Sequence, residues 1–148
     1  MPDAPMSALL SAAAADVLET MFFTPVMGEA EVAAPPPSAV AARLHFAGAR
    51  PGTFALRVSE PAAAMIAANF LGEEVSEPSP GQVRDVICEL ANMICGSALS
   101  RLDGEAHFDL GHPKLVEPVE AAIPGGASRA FDIGDGEVAV FLHIHVQP

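Results

Sequence analysis

The most informative stretch of the chain runs from Arg84 to Gly96 and reads RDVICELANMICG. Its apolar residues recur at intervals of three and four, which is the spacing of a helix with one buried face. That face comprises Ile87, Leu90, Ala91, Ile94 and, one turn further on, Ala98. Because each residue advances a helix by about 100°, the opposite side carries a narrow stripe. The stripe consists of Asp85, Glu89, Asn92 and Gly96.

Gly96 is unusual on an exposed stripe, because glycine inside a helix costs about 0.8–1.0 kcal/mol relative to alanine. A glycine at such a position is explained if the surface of another molecule must come close to the helix. We therefore expect Gly96, together with Asp85 on the same stripe, to contact a partner.

Hydrophobic spacing and turn residues predict the remaining elements. In chain order these are a helix at Leu9–Phe23, strands at Val40–Ala47 and Thr53–Val58, a helix from Ser59 to Leu71, the long helix at Gln82–Leu102, and strands at Ala106–Leu110, Arg129–Ile133 and Glu137–Val146. The order is therefore α-β-β-α-α-β-β-β. Because neighbouring strands form antiparallel pairs, the predicted class is α+β, with the helices packed on a mainly antiparallel sheet.

The length of 148 residues is that of one domain, which we expect to span residues 1–148. Residues 28–38 contain Pro35-Pro36-Pro37 and are expected to form a flexible, proline-rich loop.

Charge excludes two classes of partner. The chain has 7 Lys and Arg residues against 19 Asp and Glu residues, a net charge of −12. Such a surface repels phosphate backbones and anionic lipids, so we expect neither nucleic-acid nor membrane binding. The longest apolar stretches, such as Met6–Ala15, are shorter than the roughly 20 residues that a membrane-spanning helix needs. Cys88 and Cys95 lie about two helical turns apart, too far for a disulfide, and we expect a cytoplasmic location.

Acidic and amide side chains on the outer face of a helix usually serve only solvation, so the stripe alone leaves its role open. However, the pattern Asp85-x3-Glu89-x2-Asn92 resembles the signature of the CheC/CheX/FliY family of chemotaxis phosphatases, and most of all its single-site CheX-like branch. The flanking segments Phe54–Leu71 and Phe108–Pro113 also resemble that family. In the first helix the same register reads Ala15-x3-Glu19-x2-Phe22, without the amide, so we expect one site.

The resemblance implies a phosphatase that hydrolyses the aspartyl phosphate of a response-regulator receiver domain, typically CheY. It implies that Glu89 pairs with a lysine of the receiver and that the Asn92 amide holds the attacking water. It also implies that Mg²⁺ lies in the acidic pocket of the receiver, so the chain needs no metal or cofactor of its own. The alternative is a module of the same fold that binds a receiver or a motor component without hydrolysis.

Two further expectations concern the C-terminal strands. His143 and His145 lie on one face of a strand and could bind a metal, but the sequence shows no further ligands, and a polar strand face is the simpler interpretation. We therefore expect no tightly bound metal. The apolar run from Val138 to Leu142 in a small domain suggests sheet edges that need protection, and so a homodimer formed by those edges.

Overall fold

The computed structural model describes residues 3–72 and 77–145, with side chains from residue 6 onward. The helices are α1 (Asp3–Met21), α2 (Glu60–Leu71) and α3 (Pro80–Leu102). The strands are β1 (Gly28–Ala30), β2 (Val40–Gly48), β3 (Gly52–Val58), β4 (Phe108–Leu110), β5 (Lys114–Val116), β6 (Ala127–Asp132) and β7 (Glu137–Ile144). A single-turn 3₁₀ helix spans Pro118–Ala121.

The α+β class and the order of the main elements are confirmed. The structure adds β1, β5 and the 3₁₀ helix within segments that the sequence assigned to loops and connections. Val146, predicted at the end of the last strand, lies outside the described residues, as do residues 73–76 between α2 and α3. None of the helices in the described part of the chain is long and apolar enough to cross a membrane.

All the strand pairs in the described residues are antiparallel, in the order β1-β6-β7-β3-β2-β4 across the sheet, with β5 also pairing with β2. Strand β7 is bonded to β6 on one side and to β3 on the other. The run from Val138 to Leu142 is therefore interior. Its apolar character reflects burial in the sheet, and using it as a sign of an exposed edge was wrong.

The turn between β6 and β7 fixes the start of α2. Gly134 and Gly136 have φ values of 100° and 153°, which favour glycine. A Cβ on Gly136 would lie 2.1 Å from the Ser59 hydroxyl, so the turn can approach the helix only because this residue is glycine. The close approach allows the Glu137 N–H to donate to Ser59 Oγ at 3.0 Å.

The three helices cover one face of the sheet. The predicted inner face of α3 is confirmed, since Ile87, Leu90, Ala91, Ile94 and Ala98 are all fully buried. Phe22, the residue directly after α1, is fully buried and stacks on Phe70 with ring centroids 4.6 Å apart. Phe22 therefore belongs to the core. In the comparison of the first helix with the α3 motif, it stands at the position that Asn92 occupies in α3.

The other face of the sheet carries small residues, among them Ala41, Ala55 and Ala139, and the 3₁₀ helix packs on it through Ala121. Arg57 is buried there, and its guanidinium lies 5.3 Å from the Phe141 ring while donating to the Ala33 carbonyl at 2.5 Å. Burial lowers the pKa of Arg57 below its usual value. Together with β1, this contact attaches the proline-rich residues 28–38 to the sheet at two points.

Candidate active site

The start of α3 positions the predicted site. Ser79 Oγ accepts from the Gln82 N–H at 3.1 Å, and the Ser79 N–H donates to Gln82 Oε1 at 2.8 Å. This reciprocal capping box and Pro80 in the first turn fix where the helix begins. Because the opposite face is locked in the core, Asp85 and the residues that follow it at helical spacing must face outward.

The structure brings Asp85, Glu89 and Asn92 together. The two carboxylates are exposed and the Asn92 amide is half-buried. They lie along one side of an open groove of about 390 Å³. Its full lining comprises Asp85, Cys88, Glu89, Asn92, Leu110, Gly111, His112 and Pro113. A concave site with two carboxylates and an amide can bind a cation and orient a polar ligand at the same time.

The opposite wall of the groove comes from residues 110–113, which the sequence analysis did not include in the site. The Gly111 N–H donates to the His45 carbonyl at 2.8 Å, and a Cβ on Gly111 would lie 2.9 Å from that oxygen. Glycine thus lets this segment follow β2 closely after Leu110 pairs with Phe46. The wall places the exposed His112 on the groove, and no local sequence pattern indicated that position.

Gly96 lies outside this groove. It lines a neighbouring groove that also includes Leu99, Ser100 and Leu110. A Cβ on Gly96 would come no closer than 3.9 Å to Leu110 Cδ2, an ordinary contact. Packing among the described residues therefore does not require glycine here, and a contact between Gly96 and a partner stays a prediction.

The polar groups of the stripe are unengaged within the described residues. The ion pairs there join Arg101 to Asp16, Arg129 to Glu29 and His107 to Asp109, so none uses Asp85 or Glu89. The side-chain hydrogen bonds of α3 involve Gln82 near its start and Arg101 near its end. The Glu89 carboxylate is thus available to a cation brought by another molecule.

The two thiols are poor nucleophiles. Burial raises the pKa of Cys95 to about 12, and burial together with the nearby Asp85 carboxylate raises the pKa of Cys88. Since only the thiolate is nucleophilic, both groups stay protonated at neutral pH. The groove therefore acts through its carboxylates and its amide, although Cys88 lies on its lining.

The buried Cys95 thiol gives a pH-dependent stability. Below pH 9 the thiol is protonated in both the folded and the unfolded chain and has no effect. As the pH rises from 9 toward 12, only the thiol of the unfolded chain ionises, so the free energy of unfolding falls.

We expect ionisation of Cys95 to lower the free energy of unfolding by about 2 kcal/mol between pH 8 and pH 10.5. Urea denaturation at both pH values measures it, and Cys95→Ala should remove this part of the loss. An unchanged pH dependence in that variant would contradict the assignment.

The predicted histidine pair belongs to a hydrogen-bonded cluster on the sheet. The rings of His143 and His145 lie 5.3 Å apart, and His145 Nε2 contacts Thr53 Oγ1 at 3.1 Å. His45, which the sequence analysis did not connect with them, contacts the same hydroxyl through Nδ1 at 3.0 Å. Within residues 3–72 and 77–145, no three or more His, Cys, Asp or Glu residues converge as metal ligands.

Comparison with known proteins finds relatives that share this fold. Residues 40–131 match the family model described as chemotaxis phosphatase CheX. CheX from Vibrio vulnificus has a TM-score of 0.74 at 22% identity, over 96% of this chain and 97% of that one. A CheC-like superfamily protein from Shewanella sp. PV-4 has a TM-score of 0.74 at 19% identity, over 97% and 99%. CheX in the CheX–CheY–BeF₃–Mg²⁺ complex from Borrelia burgdorferi has a TM-score of 0.70 at 16% identity, over 94% and 97%. No curated protein sequence gave a significant match.

Proposed function

This chain belongs to the chemotaxis phosphatase CheX family, and on that premise we propose that it hydrolyses the aspartyl phosphate of a CheY-like receiver domain. The observation that carries the proposal is the open groove on which Glu89 and Asn92 lie about one helical turn apart. Neither the Glu89 carboxylate nor its neighbour Asp85 has an ionic partner within the described residues. The complex of the Borrelia relative with CheY supports a receiver as the partner.

In the proposed reaction, water attacks phosphorus and the bond from phosphorus to the aspartyl oxygen breaks. The products are a free carboxylate and inorganic phosphate: the hydroxyl of the water stays on phosphorus, and the other water proton passes to a phosphate oxygen or to solvent. Phosphoryl transfer passes through a loose transition state, so positioning and charge compensation supply most of the catalysis. An amide can donate and accept hydrogen bonds at once, so we assign Asn92 to holding the water in line with phosphorus.

Glu89 is assigned to an ion pair with a lysine of the receiver. This charge-assisted contact would fix the orientation of the two domains and so bring Asn92 to the phosphoryl group. The Mg²⁺ that the reaction needs is assigned to the receiver, and the chain is proposed to use no cofactor of its own. A receiver as substrate also implies a cytoplasmic location, with residues 1–148 acting as one domain.

The proposal is tested with the purified chain and the CheY-like receiver domains encoded in the same genome. Each receiver is phosphorylated by a small phospho-donor in Mg²⁺ at pH 7, and phosphate release is followed with and without the chain. We expect the chain to accelerate release from its cognate receiver. Binding to the phosphorylated receiver without acceleration would instead establish a non-catalytic receiver-binding module of the same fold.

A homodimer formed through sheet edges is a separate proposal. Because β7 is interior, the edges that could take part are β1 on one side and β4 with β5 on the other. Unpaired edge strands readily pair with another chain, and a dimer would protect them. Light scattering at micromolar concentration should therefore give twice the chain mass of 15.2 kDa. A mass equal to that of one chain would refute the dimer.

A further inference from the structure

We propose that Phe70 and Phe23, here called the aromatic patch, form a docking surface for the receiver domain beside the acidic stripe. The inference rests on the proposed function and extends it, because it assigns recognition to residues outside the signature helix. Three observations carry it: a second groove that shares both carboxylates, the fixed position of the Phe70 ring, and the backbone conformation of Phe23.

This second groove, which is distinct from the one that Gly96 lines, has a volume of about 310 Å³. It lies against the same carboxylates as the groove that contains Asn92. It is lined by Phe70, Leu71, Gln82, Asp85, Val86 and Glu89. Asp85 and Glu89 thus lie between a polar groove that contains Asn92 and an apolar groove that contains Phe70. A typical protein interface covers about 800 Å² on each partner, far more than one helical stripe. A domain whose lysine pairs with Glu89 would therefore extend over both grooves.

The Phe70 ring is exposed and also held in place. It is 36% exposed at the end of α2, and its inner side stacks on the fully buried Phe22. The preceding residue, Asn69, donates from Nδ2 to Thr24 Oγ1 at 3.0 Å and to the Phe23 carbonyl at 3.4 Å, which places Phe23 beside the end of α2. An aromatic ring that is already fixed loses little conformational entropy on binding, which is typical of residues that dominate interfaces.

The backbone conformation of Phe23 ends α1, but it does not explain why the residue is phenylalanine. Its φ of 52° is left-handed, a conformation usually adopted by glycine or asparagine where a helix ends. Its side chain is nevertheless large, apolar and 66% exposed. The Thr24 N–H closes the helix end by donating to the Leu18 carbonyl at 2.9 Å, a bond that a glycine at position 23 would also allow. Phe23 therefore combines backbone strain with little burial, as expected for a residue retained to contact a partner.

Charge favours a receiver over a second copy of this chain as the occupant. A two-fold dimer through the aromatic patch would bring two acidic stripes close together, on chains that each carry a net charge of −12. Like charges facing each other across an interface oppose association. A receiver that presents a lysine to Glu89 instead meets complementary charge beside an apolar contact.

The test compares Phe70→Ala and Phe23→Gly with Val119→Ala as the matched control. Val119 is a large exposed apolar residue on the 3₁₀ helix, which packs on the opposite face of the sheet. The ligand is the cognate receiver from the phosphate-release assay, held in its beryllofluoride–Mg²⁺ form, and calorimetry measures Kd. We expect each phenylalanine variant to raise Kd by about 10-fold or more. Val119→Ala should bind the receiver and release phosphate like the parent.

Phe23→Gly keeps the test valid if Phe70→Ala folds poorly. Glycine relieves the left-handed backbone, so this variant should have an equal or higher Tm while still binding more weakly. If the parent hydrolyses and binds normally and both phenylalanine variants bind as tightly, the patch fails while the proposed function stands. If the parent neither binds nor dephosphorylates any receiver, the proposed function and the patch fail together. If either variant instead converts a dimer to a monomer, the patch serves self-association and the inference is overturned.

Discussion

Asn92→Ala is expected to slow dephosphorylation of the cognate receiver by about 10²-fold or more, the range found when a positioned polar catalytic group is lost. The amide is half-buried on the wall of the groove, and the side-chain hydrogen bonds of α3 within the described residues do not involve it. Its removal leaves both carboxylates of the stripe in place. The loss should therefore appear in the rate of phosphate release at saturating concentrations, while Kd for the beryllofluoride form changes little.

The fold should tolerate this change. Alanine is the best helix former, and the core side of α3 lies opposite Asn92. Val119→Ala, on the opposite face of the sheet, provides the control and should release phosphate like the parent. If Asn92→Ala releases phosphate as fast as the parent, the water-positioning assignment is wrong.

The features predicted correctly from the sequence are those set by local periodicity. Alternation of apolar and polar residues along α3 determines which side is buried, so Ile87 and Asp85 were placed on the correct sides. The capping residues Ser79 and Pro80 likewise act within one turn, and they fix where the helix begins. Such signals depend on neighbours in the chain, which the sequence displays directly.

The features that were missed depend on residues distant in the chain. Strands β1 and β5 have three residues each, too few for a visible alternation, and they exist because β6 and β2 offer free edges to pair with. Whether β7 is an edge or an interior strand depends on the strand order of the whole sheet. In the same way, His45 reaches the histidine pair only through the cross-strand register that aligns it with Thr53.

The candidate site likewise combines a part that local sequence predicts with a part that depends on distant residues. The sequence located one wall of the groove, because the stripe lies on a single helix. The other wall required the pairing of β4 with β2, which places His112 opposite the stripe. The left-handed Phe23 was also missed, since the spacing of apolar residues predicted a helix through that position while α1 ends at Met21.

Glu89→Gln is expected to weaken both binding and hydrolysis, unlike the change at Asn92. Glutamine keeps the size of the side chain and removes the charge that is proposed to pair with the receiver lysine. Hydrogen bonds between charged groups contribute about 1.5–3 kcal/mol, so Kd should rise by roughly 10- to 100-fold. The rate at saturation should also fall, because the same ion pair orients the receiver so that Asn92 meets the phosphoryl group.

Asp85→Asn separates the specific ion pair from the general acidity of the stripe. It removes the same charge one turn earlier on α3, at a residue that is also exposed and lines both grooves. If Glu89 makes a direct ion pair with the receiver, Glu89→Gln should lose far more affinity than Asp85→Asn. Its Kd should also depend less on salt than the Kd of the parent. Equal losses in the two variants would mean that the receiver senses only the summed field of the stripe. The groove would then hold its partner by net charge and apolar contact, and the orientation of Asn92 toward phosphorus would need another source.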